Sequence, residues 1–308
     1  MGLRIRTNIS SLNAQRRLER ATGAVSSSME KLASGKRINK AADDAAGLAI
    51  SENLRADIRS LAQAKRNASD GIALIQTAEG GLVETTNMLV RLRELAVQAA
   101  SDTVGAWERR YLDMEYVALK DEMDRITNAT EFNGTRLLVG NSDRVPEEVA
   151  NPENTFPLEF QIGKDYYTEA DGLDERNPVN IIKVDLSQIN SYTSGEGGLD
   201  LGRSEEGTRL QEKRDAQLSI GKLDNAITRI GGYRAYLGSV QNRLSSTVTN
   251  LGVQMENLTQ AKSRIQDTDF AAESSQYTSQ SILQQAGTAI LGSANQMPNV
   301  ALGLIQNL

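Results

Sequence analysis

The side chains available for chemistry are carboxylates, lysines, arginines and hydroxyls, because the 308-residue chain holds no histidine and no cysteine. Thiolate nucleophiles, Ser-His-Asp triads, His-ligated zinc or haem, disulfides and imidazole switching are therefore excluded. The lack of cysteine suits either the cytosol or an exported protein. Asp43-Asp44 is the tightest carboxylate pair. Neighbouring residues on a helix do not face each other, and this pair stands where a helix begins, so it reads as capping. Ser34-Gly35-Lys36-Arg37 misses the GxxxxGK[ST] phosphate-loop pattern and follows no strand. Gly195 to Gly202 (GEGGLDLG) is glycine-rich but lies in a polar loop, not in a strand-turn-helix nucleotide site. Asn67-Ala68-Ser69 matches a glycosylation acceptor only in letters and falls on a helix. No set of residues supports catalysis, a cofactor or a bound metal, and the chain reads as a non-enzyme.

The elements around these residues are marked by proline, which lacks a donor and clashes with the preceding helical turn. All five prolines, Pro146, Pro152, Pro157, Pro178 and Pro298, leave 1–145 and 179–297 uninterrupted. Steps of seven from Leu54 reach Leu61, Ala68, Ile75, Leu82, Leu89 and Ala96. Steps of seven from Leu223 reach Ile230, Leu237, Leu244, Leu251, Leu258 and Ile265. Such runs specify the apolar seam of packed helices. Lys65, Glu79 and Arg93 at companion positions argue for a small bundle over a two-stranded zipper.

Each run predicts a helix of roughly 55 residues, about 80 Å long. A compact globule of this length would have a radius of gyration near ~19 Å, so the expectation is a rod. Asn39 to Asp44 supplies capping residues before a helix ending near Ala100, and Trp107 to Thr127 forms a shorter one. Gly80-Gly81 and Gly231-Gly232 interrupt the long helices, which asks for close packing or a bend, or marks a tolerated weak spot.

Two amphipathic segments form the ends. Ile5, Ile9, Leu12, Leu18, Val25 and Leu32 recur at helical spacing near the N-terminus. Ile282, Leu283 and Ile290, then Leu302, Leu304 and Ile305, do so near the C-terminus. With the long helices satisfying each other, these ends are expected to find no core within the chain, to stay mobile in a monomer and to need a partner. Between the arms, Leu158, Phe160 and Ile162, and Ile182, Val184 and Leu186, alternate as strands. Asn133-Gly134 signals a hairpin. Residues 141–214 carry 16 acidic and 8 basic side chains, which suits a solvated outer face.

The net charge of −6 argues against general nucleic-acid binding. Residues 1–40 hold nine Lys/Arg against Glu19 and Glu30, whereas 265–308 hold only Asp267, Asp269 and Glu273, so the ends can attract. Residues 1–106 contain no aromatic side chain to stack on bases or anchor in lipid. No apolar run reaches spanning length, and none resembles a secretory signal. Neither a nucleic-acid nor a membrane partner is expected.

Long stretches resemble the bacterial flagellin family: 8–18 (NISSLNAQRRL), 29–61, 70–98 and 130–138 (TEFNGTRLL) at one end, 234–266 and 284–298 (QQAGTAILGSANQMP) at the other. The resemblance implies a mainly α fold, a coiled-coil bundle of antiparallel helices from both chain ends with a small central β insert. It implies a terminal domain from 1–43 and 267–308, a helical domain from 44–140 and 208–266 with a β-hairpin, and an outer insert at 141–207. The implied function is an extracellular filament subunit exported by the flagellar type III system. Implied partners are further copies of the chain, an export chaperone, a cap protein, hook–filament junction proteins and a flagellin-sensing Toll-like receptor. The receptor motif maps to Arg91, Leu95 and Glu115, within and beside RLRELAVQ. The insert is short for the family, Trp107 is unusual in its segment, and Asn307-Leu308 extend past the terminal leucine cluster. A hook–filament junction protein is the alternative, and a cytoplasmic helical signalling rod a more distant one.

Overall fold

The computed structural model describes residues 8–140, 156–165, 180–195, 197–202 and 207–306, with side chains described as far as Met297. Five helices lie in these ranges: α1 (Ile9–Ser34), α2 (Ala45–Ala99), α3 (Ala106–Ala129), α4 (Lys213–Gln266) and α5 (Phe270–Gln306). Strands β1 (Glu131–Phe132) and β2 (Thr135–Arg136) form one antiparallel pair, and β3 (Leu158–Gln161) and β4 (Ile181–Val184) another. The fold is mainly α with a small central β insert.

The two heptad runs become helices of 55 and 54 residues. Asp44 starts α2 by accepting the Gly47 N–H at 2.9 Å, while Asp43 accepts the N–H groups of Asn39 and Lys40. Those two backbone donors hold the Asp43 carboxyl below its ordinary pKa. Asp44 therefore caps the helix, whereas Asp43 ties down the loop that precedes it.

The chain groups into two compact units, one of Arg59–Met255 and one of Met1–Ile58 with Glu256–Leu308. The division falls inside α2 and α4. Helix breaks follow backbone chemistry, whereas compact units follow side-chain packing. In the Arg59–Met255 unit the seam is dry: Leu61, Ile75, Leu82 and Leu89 of α2 are buried, as are Leu223, Ile230, Leu237, Leu244 and Leu251 of α4. Leu54, Leu258 and Ile265, which belong to the other unit, are half-buried.

The core of the larger unit also takes Tyr116 and Met123 from α3, Leu137 and Leu138 after the hairpin, and Val184, Leu186, Ile189, Leu199 and Leu201 from the insert. Part of the insert is thus core, contrary to the solvated outer face expected of it. Most of its acidic residues lie in the stretches outside the description, and the charge count concealed the alternating apolar positions between them.

The hairpin forms as its sequence requires, with Asn133 and Gly134 both at positive φ in a two-residue turn. Of the paired glycines, Gly81 is the one with a packing reason. A Cβ there would stand 2.6 Å from Thr130 Oγ1 and 2.7 Å from Leu138 Cδ1, so the helix lets the hairpin approach. Gly80, Gly231 and Gly232 face open space.

Candidate functional site

In the smaller unit α1 and α5 run antiparallel. Asn8 Nδ2 donates to the Ala294 carbonyl at 2.7 Å, Ser11 Oγ to Asn295 Oδ1 at 2.6 Å, and Gln284 Nε2 to Thr22 Oγ1 at 3.2 Å. Lys31 Nζ lies 4.0 Å from Glu273 Oε2, an attraction between the basic and acidic ends. This pairing corrects the expectation that the ends lack any partner within the chain. They pair with each other, and small residues lie in the contact: Gly287 stands against Leu18, and Ala14, Ser28 and Ala294 are buried.

That contact leaves most of the large apolar side chains outside it. Ile9, Leu12, Ile282, Leu283 and Ile290 are each half or more exposed, and Leu18, Val25 and Leu32 are half-buried. Ile5 lies outside the described residues. Leu302, Leu304 and Ile305 fall within α5, beyond the described side chains.

The segments joining these helices to α2 and α4 are stitched together. Gly35 ends α1 in the left-handed conformation at φ 67°. Lys36 and Asp267 then form an antiparallel bridge, with Arg37 N–H bonding the Gln266 carbonyl and Thr268 N–H the Gly35 carbonyl. The Arg37 guanidinium donates to the Ile265 carbonyl at 2.7 Å and the Arg264 carbonyl at 3.3 Å, satisfying the C-terminal end of α4. The SGKR tetrapeptide is therefore a junction between the chain's two arms. Sequence reading found only what it was not.

The receptor-motif residues separate. Arg91 Nε and Nη2 both donate to Glu115 Oε1, at 3.0 and 2.8 Å, and Nη1 reaches Glu94 at 3.1 Å. These acceptors raise the arginine pKa further. Arg91 and Glu115 stay about half exposed, an open ion pair between α2 and α3. Leu95 is 1% exposed in the core, contrary to its expected place on the same accessible surface. The cause is helical phase: Leu95 shares the inward face with Leu92, Ala96 and Ala99.

The main feature that sequence reading missed is a polar ladder on the inner face of α3. Asp113, Tyr116, Lys120 and Thr127 are buried, at steps of three, four and seven. The Asp113 carboxylate accepts Arg209 Nε and Nη2 at 3.0 and 2.8 Å, the Leu210 N–H at 2.8 Å and Gln211 Nε2 at 3.1 Å. Burial alone would raise its pKa, but these donors outweigh it and hold the group below the ordinary carboxylate value. Tyr116 donates to Thr208 Oγ1 at 2.9 Å, and burial raises its pKa. Lys120 Nζ bonds the Leu201 and Thr208 carbonyls, each at 3.3 Å. Burial, with Arg209 nearby, lowers its pKa from 10.5 to about 8. Asp124 accepts both the N–H and the hydroxyl of Thr193. In the sequence the ladder shows only as polar side chains on the stripe opposite Trp107, Tyr111 and Met114, with nothing to mark them as buried.

The other singled-out motifs also have structural duties. Asn67 Nδ2 donates to the Gln161 carbonyl at 2.9 Å and pins β3 to α2. The glycine loop is held by Arg229, which donates to the Gly197 carbonyl at 2.8 Å and to that of Gly198.

Comparison with known proteins agrees with this architecture. The bacterial flagellin N-terminal helical region matches residues 5–143, and the bacterial flagellin C-terminal helical region matches residues 220–305. A flagellin of Bacillus subtilis is 42% identical over 324 aligned residues, covering 99% of this chain and 100% of that protein. The flagellar filament 33 kDa core protein of Treponema phagedenis is 41% identical over 302, covering 98% and 99%. The solved structure of a putative flagellar hook-associated protein from Vibrio parahaemolyticus has a TM-score of 0.53 over 73% of this chain and 100% of that chain. Its identity of 13% makes this a likeness of fold alone. With both terminal regions matched and relatives aligned along their full length, the chain belongs to the bacterial flagellin family.

Proposed function

We propose that this flagellin joins its neighbours in the filament mainly through the α1–α5 pair. As a member of its family the chain is a structural subunit of the flagellar filament, lying outside the cell, and not an enzyme. The carrying observation for the joint is the apolar surface that the pair leaves open, including Ile9, Leu12, Ile282, Leu283 and Ile290. Two helices in contact along one narrow stripe cannot dry their remaining apolar faces. The same faces on neighbouring copies can, at about 25 cal/mol per Å² of apolar area removed from water. A subunit with such faces needs cover before assembly, which supports an export chaperone as a partner. Travel through the type III channel, addition beneath a cap protein and contact with hook–filament junction proteins belong to the same reading. Recognition of the monomer by a flagellin-sensing Toll-like receptor would rest on the Arg91–Glu115 pair, which is open to a partner.

The test of the joint is Ile290→Asp, at a position 60% exposed in the subunit. Helical circular dichroism and melting should match the parent chain, while elongation on filament seeds should fail. Normal elongation of the variant would place the joint elsewhere.

A further inference from the structure

Among the described residues Lys120 is the only buried cation, and its surroundings hold a positive charge poorly. An ammonium has three donors. They find two neutral acceptors, the Leu201 and Thr208 carbonyls, each at a long 3.3 Å. The Leu201 carbonyl is already occupied, since it accepts the Thr208 N–H at 2.8 Å and the Thr208 hydroxyl at 2.7 Å. The carboxylates of the same helix are engaged elsewhere. Asp113 serves Arg209, Leu210 and Gln211, Asp124 serves Thr193, and Asp121 is exposed. Arg209 adds a like charge from the facing segment. Charges on the neighbouring helices are paired: Arg91 of α2 with Glu115, and Lys213 and Lys222 of α4 with Asp102 and Asp200. Asp215 is half-buried in the first turn of α4.

We propose that Lys120 is a proton-gated latch: with the amine neutral, the backbone around Leu201 and Thr208 stays closed on α3, and proton uptake opens it locally while the long helices stay folded. The closed stretch has no helix of its own. Side-chain bonds tie it to α3, from Lys120, from Tyr116 to Thr208 and from Thr193 to Asp124. Gly202 and Gly207 stand beside it at φ 72° and 100°. The Asp113–Arg209 clamp lies just beyond and limits how far the opening spreads. The sign follows from linkage. Closed, the amine has a pKa of about 8, and opened to water it returns to the ordinary 10.5. Opening therefore takes up a proton between these values, grows as pH falls through them and levels off below pH 8. The filament lies outside the cell, so the latch meets the pH of the medium directly.

Native-state hydrogen exchange of the full-length monomer tests this, with each amide rate divided by that of an unstructured peptide at the same pH. Protection of the Leu201, Gly202 and Thr208 amides should be nearly level from pH 6 to 7 and rise roughly fortyfold from pH 8 to 10. At pH 7.5 these amides should be at least about tenfold less protected than those of Leu82 and Leu237, which sit in the buried seam. Lys120→Met should remove the rise at all three positions. Pulsed acylation reads the same event without a substitution: the Lys120 rate should become independent of pH above about 8, while the rates of exposed lysines keep rising. Protection that ignores pH in the parent chain would overturn the latch, as would a Lys120 acylation rate that climbs with the others. Protection equal to that of the seam at every pH would also overturn it, since the proton would then enter only on global unfolding. An unchanged rise in Lys120→Met would take the proton away from Lys120.

Discussion

Arg209 grips Asp113 with two guanidinium nitrogens, at 3.0 and 2.8 Å, across 96 residues of sequence. The same carboxylate takes the Leu210 N–H and the Gln211 amide. One buried side chain on α3 thereby fixes the segment that leads into α4.

Removing that carboxylate should be costly, because it takes away the acceptor shared by the Arg209 guanidinium, the Leu210 N–H and the Gln211 amide. Asp113→Ala is expected to destabilise the subunit by about 2–4 kcal/mol, less than a wholly buried pair because Arg209 retains some water. Urea unfolding would measure it. Asp113 has a depressed pKa when folded, so its contribution is present above the unfolded carboxylate pKa and is lost as pH falls through the folded value. The variant should therefore show a flatter acid limb. A loss below about 0.5 kcal/mol, the surface range, would mean that the network carries no stability.

Lys120 has the opposite consequence. Its folded pKa of about 8 lies below the ordinary 10.5, so between these values the unfolded chain binds more protons. Stability should rise with pH across that window, and the full cost of burying the cation should apply below it. Burial sets most of the effect and Arg209 adds to it, while Asp124, Asp113 and Asp121 oppose it. Tyr116 ionises with difficulty in the fold and opposes the rise above pH 10. Lys120→Met should abolish the rise between pH 8 and 9.5 and raise stability at pH 7 by about 1–3 kcal/mol. Unchanged pH dependence in the variant would assign the proton to another group.

Two glycines in similar helical settings should respond in opposite directions. Gly81→Ala drives a methyl group against Thr130 and Leu138 and should cost about 1–3 kcal/mol as overpacking. Gly232→Ala meets open space and should gain about 0.5–1 kcal/mol from helix propensity. Melting of the two variants side by side checks the pair. A stabilised Gly81 variant would show that the hairpin does not approach α2 as closely as described.

Receptor binding should separate Arg91 from Leu95. Arg91→Ala is expected to weaken binding of the monomer by about 1–2 kcal/mol, through loss of an exposed multi-donor group. Leu95→Ala removes a core side chain and should instead destabilise the subunit by about 2–5 kcal/mol. Surface plasmon resonance on correctly folded fractions distinguishes them. A Leu95 variant that folds normally yet fails to bind would return that residue to the recognition surface.

Periodicity and punctuation already determined the long helices, the hairpin at Asn133-Gly134 and the β3–β4 alternation, and composition excluded thiol and imidazole chemistry. Each depends on local rules: seven-residue spacing, capping at Asp44, φ > 0 in a tight turn, the absence of His and Cys. How deeply each stretch of that seam is buried was decided only by tertiary structure, since burial depends on what stands opposite. Leu244 and Leu258 occupy equivalent heptad positions, yet the first is dry and the second half-wet. Leu95 and Arg91 share one helical turn, yet one joins the core and the other forms an open ion pair. A charged residue such as Lys120 reads as solvent-facing until the Leu201 and Thr208 carbonyls arrive from 81 and 88 residues away to replace its water. Long-range partners of that kind leave no periodic trace in the chain, because the carbonyls that satisfy them belong to every residue alike.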